Sequence, residues 1–344
     1  MGMGWKIGVA ALGLAVCGLL GEVALLVAER KPTPRGAATQ PATQILVPTP
    51  GPITPSLAPS PSTAPRTVRS TPTAAPTPTR ASPTITVPTT LASIPAGGTR
   101  VIGYSVEGRP LTVYRFGHGP RQYMLVAGIH GGYEWNTVLL AERLLDVLQR
   151  GEISVPDEVT LFLLPNLNPD GYARGKGYQG RANARGVDLN RNFPWNWTVD
   201  WNRSACWNYA PITAGSAPLS EPETQALAAF LQRPDVRLQA LISYHSAALG
   251  IFPAGWPHEP HPPSVALART LASATGYRYP PQDYGCQLTG QLVDWVAFDL
   301  GIPAVDIELT NHHDPDLQQN LAALRQLLIW TPAPTATPTP ASIR

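Results

Sequence analysis

Two histidines and a glutamate carry the first hint of chemistry in this sequence. His130 follows an apolar run at 123–129 and precedes Gly131, Gly132, Tyr133 and Glu134, where a helical pattern begins, and His245 closes a second apolar run in the segment SYHS. Two imidazoles and one carboxylate would leave the fourth position of a tetrahedral zinc open to water, as a hydrolytic metal requires. By spacing alone, a lone histidine at a strand end is more often an ordinary polar residue than a ligand. Glu134 is equally readable as an acid favoured by the positive end of a helix dipole.

Residues so far apart in sequence can meet only if a sheet gathers them. Short apolar runs at 123–129, 159–164, 238–244 and 304–309 predict strands, and amphipathic patterns at 135–149, 221–231, 264–275 and 316–329 predict helices. Alternation of this kind predicts an α/β fold with helices on both faces of a sheet. The second helix opens with Ser220-Glu221-Pro222-Glu223, a capping box with proline in the first turn. Between the second and third strands, residues 166–218 are rich in Gly, Asn, Arg and Pro without periodicity, and so long a loop usually serves function.

Several motifs in order along the chain resemble the zinc carboxypeptidase family, which includes carboxypeptidase A and the murein peptide amidases. They are IHGGYEW (129–135), PNLNPDGY (165–172), RANARGVDLNRNF (181–193), SEPET (220–224), SYHS (243–246), the pair Asp294-Trp295, and IEL (307–309). The resemblance implies a mixed central sheet with helices on both faces and one zinc held by His130, Glu134 and His245. It implies that Asp188 fixes a ligand imidazole. It further implies that Arg181 stabilises the oxyanion, that Asn190 and Arg191 grip the substrate's C-terminal carboxylate, and that Glu308 is the general base. Tyr284 is the candidate for a mobile tyrosine that caps the substrate. One departure is the spacing of three residues between His130 and Glu134 where the family usually has two, an insertion that Gly131 and Gly132 can absorb.

The resemblance also bears on specificity. Asp306 lies two residues before Glu308 and so points to the same face of the strand, at the floor of the pocket for the substrate's last side chain. An acid there implies a preference for C-terminal Lys, Arg or diaminopimelate. Val293 argues the other way, because basic-specific relatives carry their selecting Asp at that position. A purely structural Asp306, neutralised by an arginine or by backbone donors, is the alternative.

Composition bounds the rest. Of the 39 prolines many crowd residues 32–98, which hold four arginines and no acid, and the tail 331–344 repeats that character. Such segments cannot bury a core, so residues 99–330 are expected to form one catalytic domain. Outside it lie eight basic side chains and two acidic ones, so the domain itself carries a net charge of −4 although the whole chain carries +2. An acidic domain without a basic run gives no support for nucleic-acid binding. The apolar stretch within 1–31, flanked by Lys6 and by Glu29-Arg30-Lys31, reads as an export signal or membrane anchor. No strong A-x-A cleavage site follows it, which favours an uncleaved anchor and an extracytoplasmic, membrane-anchored or secreted protein. In that compartment Cys206 and Cys286 can pair as a disulfide. His118, His258, His261, His312 and His313 read as loop histidines, the last two close enough to Glu308 to line its cleft.

The leading expectation is therefore a zinc-dependent carboxypeptidase acting on peptides with a free C-terminal carboxylate, cell-wall peptide stems among them. A deacylase or amidase of the same superfamily is the alternative enzyme. A catalytically inactive binding module on a stalk would be expected to lack Glu308 or a ligand, and neither is missing.

Overall fold

The computed structural model describes residues 94–201 and 212–332. Seven strands form one sheet in the order β1-β2-β4-β3-β5-β7-β6. The four middle strands, β4 (Val159–Leu164), β3 (Arg121–Val126), β5 (Leu238–Ser246) and β7 (Ala304–Leu309), run parallel. They are the four runs that the sequence marks out, and each is almost wholly buried, as strands covered on both faces must be. The edges, β1 (Thr99–Tyr104), β2 (Pro110–Gly117) and β6 (Gly250–Pro253), pair antiparallel and complete the mixed sheet.

One face of the sheet is covered by α1 (Trp135–Gln149), α4 (Pro262–Thr275) and α6 (Leu317–Ile329). Leu140, Leu144, Val147 and Leu148 of α1 recur at helical spacing and pack with Leu125, Leu161 and Ile242. Burying each such side chain contributes about 1.5–3 kcal/mol. The opposite face is covered by α3 (Pro222–Leu231) and α5 (Leu292–Phe298), whose Leu227, Phe230 and Trp295 pack with Met124, Phe162 and Leu241. A short helix, α2 (Pro169–Arg174), capped by the Asn168 side chain, lies in the connection between β4 and β5.

Several local expectations change. β3 ends at Val126 rather than at 129, because Gly128 takes φ +67° and the chain turns there, with Gly131 N donating to Gly128 O. The capping box does not form: Glu221 is the N-cap, Ser220 Oγ donates to the Glu221 carboxylate, and Glu223 is drawn instead to Val106 N and Asn183 Nδ2. Ile94, ahead of the expected domain start, is buried in the second core. The segment 1–93, Cys206 and residues 333–344 lie outside the described residues, so the anchor and most of the linker do too. Among the described residues no helix is long and apolar enough to cross a membrane.

Candidate active site

The parallel strands set the location of the site. From β3 the chain crosses to β4 on one side, and from β5 it proceeds to β7 on the other, so the order reverses between β3 and β5. A crevice opens beyond the carboxyl ends of strands at such a reversal. His130 stands in the turn after β3, Glu134 at the start of α1, His245 near the end of β5 and Glu308 near the end of β7. The register places His245 directly beside Glu308 and Ser243 beside Asp306, all on one face.

Glu134 is the N-cap of α1, but its carboxylate makes no capping bond. It turns to the histidines instead: Oε1 lies 2.7 Å from His130 Nδ1 and Oε2 lies 3.1 Å from His245 Nδ1. The two Nδ1 atoms are 3.3 Å apart. All three residues are buried and offer donor atoms within 4.8 Å of one another. Two nitrogens and a carboxylate oxygen converging in a buried site are a donor set that suits zinc. Charge points the same way, since the acids Glu134, Asp294, Asp306 and Glu308 outnumber the guanidiniums of Arg181 and Arg191 along this cleft. The longer loop is accommodated by close packing: a Cβ on Gly131 would meet Gly180 O at 2.7 Å, and one on Gly132 would meet Gly175 O at 2.2 Å.

The far nitrogen of each imidazole is also held. His130 Nε2 lies 3.1 Å from Asp188 Oδ1, and Arg181 Nε donates to Asp188 Oδ2 at 2.9 Å. His245 Nε2 lies 3.0 Å from Ser243 Oγ. Partners of this kind fix the ring orientation of metal-binding histidines. Burial alone would raise the carboxyl of Asp188, but Arg181 and then His130 outweigh it and hold it well below the usual range. Burial would likewise raise Glu134, and His130 and His245 reverse that too. For Glu308 burial prevails and pushes the carboxyl up to about 7, although Ala248 N donates to its Oε2 at 3.0 Å.

A cleft of about 390 Å³ runs from this group past Asn190 and Arg191 to Asp294 and Asp306, with Tyr284 at its exposed mouth. Asn190 Oδ1 accepts from Leu292 N, which orients the amide. Arg191 is buried, stacks at 4.8 Å on Trp201, and donates from Nη1 to Asn190 O, while its Nε has no hydrogen-bond partner. Tyr284 donates from its hydroxyl to Ala248 O. Every candidate residue read from the sequence thus borders one cleft or, for Asp188, supports a group that does.

Sequence reasoning missed Ser243, Asn136 and Trp256, and it placed His312 near the cleft without its partners. Half-buried His312 lines the cleft, with Nδ1 3.1 Å from Ser246 Oγ, which in turn donates to Asn136 Oδ1. The serines flanking His245 in SYHS were the available signal. His261 is partly buried against Ser264 Oγ rather than free in solvent. Of the tryptophans in the long loop, Trp195 stacks on Phe298, while Trp197 and Trp201 pack with Ala182 and Ile212; Trp207 lies outside the described residues. Cys286, which borders the cleft, is disulfide-bonded; the partner expected for it, Cys206, is not among the described residues.

A sequence model of the zinc carboxypeptidase family matches residues 97–326. The chain belongs to the zinc carboxypeptidase family. Members of this family are zinc-dependent peptide-bond hydrolases, and His130, Glu134 and His245 form the group in this member that can hold the ion. The chain is 29% identical over 243 residues to murein peptide amidase A of Escherichia coli (strain K12), covering 68% of this chain and 91% of that protein. It is 28% identical over 251 residues to carboxypeptidase A6 of Mus musculus, covering 61% of this chain but only 55% of that protein. Among solved structures, murein-tripeptide amidase from Escherichia coli O157 matches with a TM-score of 0.50 at 26% identity, covering 70% of this chain and 94% of the other. Bovine thrombin-activatable fibrinolysis inhibitor, in complex with a tick carboxypeptidase inhibitor, matches with a TM-score of 0.56 at 25% identity, covering 67% and 88%.

Proposed function

We propose that this protein is an extracytoplasmic metallocarboxypeptidase that hydrolyses the C-terminal amide bond of peptides, with residues 99–330 as the catalytic domain. The observation that carries this reading is Arg191. Burial disfavours this guanidinium, no carboxylate is in ion-pair contact with it among the described residues, and the more distant Asp188, Asp306 and Asp294 offset the burial only in part, so a substrate's terminal carboxylate would be held favourably against it in the same cleft as the His130, Glu134, His245 group.

In this reading Arg191 and Asn190 hold the carboxylate, so that the preceding amide lies beside Glu308. Zinc, when bound by His130, Glu134 and His245, supplies a Lewis acid that polarises the carbonyl and makes water more acidic. Glu308 takes a proton from the attacking water and delivers it to the leaving nitrogen. A carboxyl raised to about 7 suits both halves of that task, because it gains and loses a proton near neutrality. Arg181, oriented by Asp188, faces the carbonyl oxygen as negative charge develops there. Tyr284 covers the substrate from the mouth of the cleft, moving from its bond to Ala248 O.

Likeness over 91% of murein peptide amidase A supports peptide stems of the cell wall as a substrate class. The basic, Pro/Thr-rich segment 32–98 and the apolar segment before it suit a head tethered near an anionic envelope. The test is to incubate the zinc-loaded chain with peptides of varied C-terminus and with a murein tripeptide, with and without chelator, and to follow release of the last residue. Failure to release any C-terminal residue in the presence of zinc would refute the reading.

A further inference from the structure

The loop between β7 and α6 presents His312 to the cleft, and the neighbours of this histidine fix which of its nitrogens bears hydrogen. Asn136, fully buried in α1, donates from Nδ2 to two backbone carbonyls of the loop, Asn311 O at 2.7 Å and Asp314 O at 2.9 Å. Carbonyls only accept, so the amide nitrogen must face the loop and Oδ1 must face Ser246. Ser246 Oγ therefore gives its single hydrogen to Asn136 Oδ1 at 2.9 Å. His312 Nδ1, 3.1 Å from the same hydroxyl, is left to donate to it. Burial holds the His312 imidazole below its usual range although Glu134 works against it, so the ring is neutral at pH 7 and its second nitrogen, Nε2, carries a lone pair.

Nδ1 is turned inward to the buried Ser246, and the two nitrogens of an imidazole point nearly opposite ways, so Nε2 is directed toward the cleft that His312 lines. It makes no hydrogen bond among the described residues. The ring lies tilted against Tyr133, with 4.6 Å between centroids, and the loop is braced by Asn311 Oδ1, which accepts from His313 N and Asp314 N at 2.7 Å each. An acceptor held this firmly costs little to order when a donor arrives. His312 also stands on the side of the metal group away from Arg191: besides its neighbour His313, the charges that act on it are those of Glu134, Arg181 and His130, whereas Asp294 feels Asp306 and Arg191. The Tyr133 ring separates it from the Arg181 guanidinium, which lies 5.8 Å from the centre of that ring. With the substrate's carboxylate at Arg191 and its scissile carbonyl toward Arg181, His312 lies about one residue further along the peptide, or about 3.3–3.6 Å of extended chain. The polar group met there is the backbone N–H of the residue that supplies the carbonyl, and an N–H can only donate.

Building on the carboxypeptidase reading, we infer that His312 is a substrate-binding residue on the acyl side of the scissile bond, where Nε2 accepts the backbone N–H of the substrate's penultimate residue. The favoured substrates have an ordinary secondary amide at that place. Proline or an N-alkylated residue there has no hydrogen to give and leaves the acceptor unpaired in the cleft.

The test uses the full chain loaded with zinc and pairs of peptides that share one C-terminal residue. In one of each pair the penultimate alanine is replaced by lactic acid, which puts an ester oxygen where the N–H was and adds no bulk; a control peptide carries the same replacement one residue nearer its N-terminus. Release of the last residue is followed for the unaltered chain and for His312→Phe, which keeps a ring against Tyr133 and removes the acceptor. The expected result is kcat/KM about fivefold or more higher for the amide than for the penultimate ester in the unaltered chain, with that ratio falling by about fivefold in the variant. The control ester should respond alike in both proteins, and zinc content should be equal. A ratio below about twofold in the unaltered chain would overturn the inference, as would the same ratio in the variant. If His312 served only to hold Ser246 beside His245, His312→Phe would lower amide and ester rates by one factor or reduce zinc content, which would also overturn it. Should the variant not fold, the two ester positions compared on the unaltered chain still decide, since the penultimate one must be the costlier. Absence of release from every peptide would instead refute the carboxypeptidase reading on which the inference rests.

Discussion

Asp188 Oδ1 lies 3.1 Å from His130 Nε2, on the side of the ring opposite Glu134. The carboxylate therefore fixes the tautomer in which Nδ1 carries the lone pair for a metal. Asp188→Asn should weaken zinc binding by about 10- to 100-fold, because an outer partner of a ligating histidine is replaced by a neutral group. Competition of the purified variant against a chromophoric chelator measures this. An affinity within twofold of the unaltered chain would show that His130 is oriented without Asp188.

His245→Ala removes one of the three donors and should abolish stoichiometric zinc, read by metal analysis after dialysis. Chelation of the unaltered chain should likewise lower its thermal midpoint, since a ligand that binds only the folded state stabilises it by mass action. One zinc per chain in the variant would mean that His245 is not a ligand.

Glu308→Gln keeps the shape of the side chain and cannot accept the proton of water at neutral pH. Zinc should remain bound while kcat falls by about 10²- to 10⁴-fold. Retention of more than about a tenth of the original rate would remove Glu308 from the role of general base.

The pH profile follows from the same carboxyl. Burial raises its pKa to about 7, and the base must be ionised to act, so activity should be present above that pKa and lost as pH falls through it. A bound dication would favour the carboxylate and move the acid limb downward, so the limb in kcat/KM is expected at or below about 7. An acid limb above pH 8, or none down to pH 4, would contradict the assignment.

Legibility in the sequence followed the strength of the local pattern. The runs at 159–164 and 304–309 and the helix at 135–149 coincide with β4, β7 and α1, because wholly buried strands and a long amphipathic helix leave little ambiguity. The antiparallel strands β1, β2 and β6 were not legible, since β1 buries none of its residues, β2 buries only Leu111 and Val113, and β6 has only four residues. The false strand end at 129 came from reading apolar residues without the left-handed conformation of Gly128, which a one-letter pattern does not display. At the site, residue types and family motifs pointed to His130, Glu134, His245, Asp188 and Glu308, which the fold brings together. His312 was legible as a histidine close enough to Glu308 to line its cleft, whereas Trp256 and Ser243 needed coordinates, because only loop packing brings Trp256 to the cleft and only strand geometry sets Ser243 against His245.

The pairing of His245 with Glu308 has a consequence for how such a protein can change. The two side chains are neighbours because β5 and β7 share a hydrogen-bonded ladder, and a slip of one residue would send one of them to the opposite face. Their separation is thus quantised by the backbone, and no side-chain repacking can tune it gradually. Drift and adaptation must act on the loops that bring Tyr284, Arg191 and Trp256, leaving the ladder as the invariant gauge against which every new pocket is fitted.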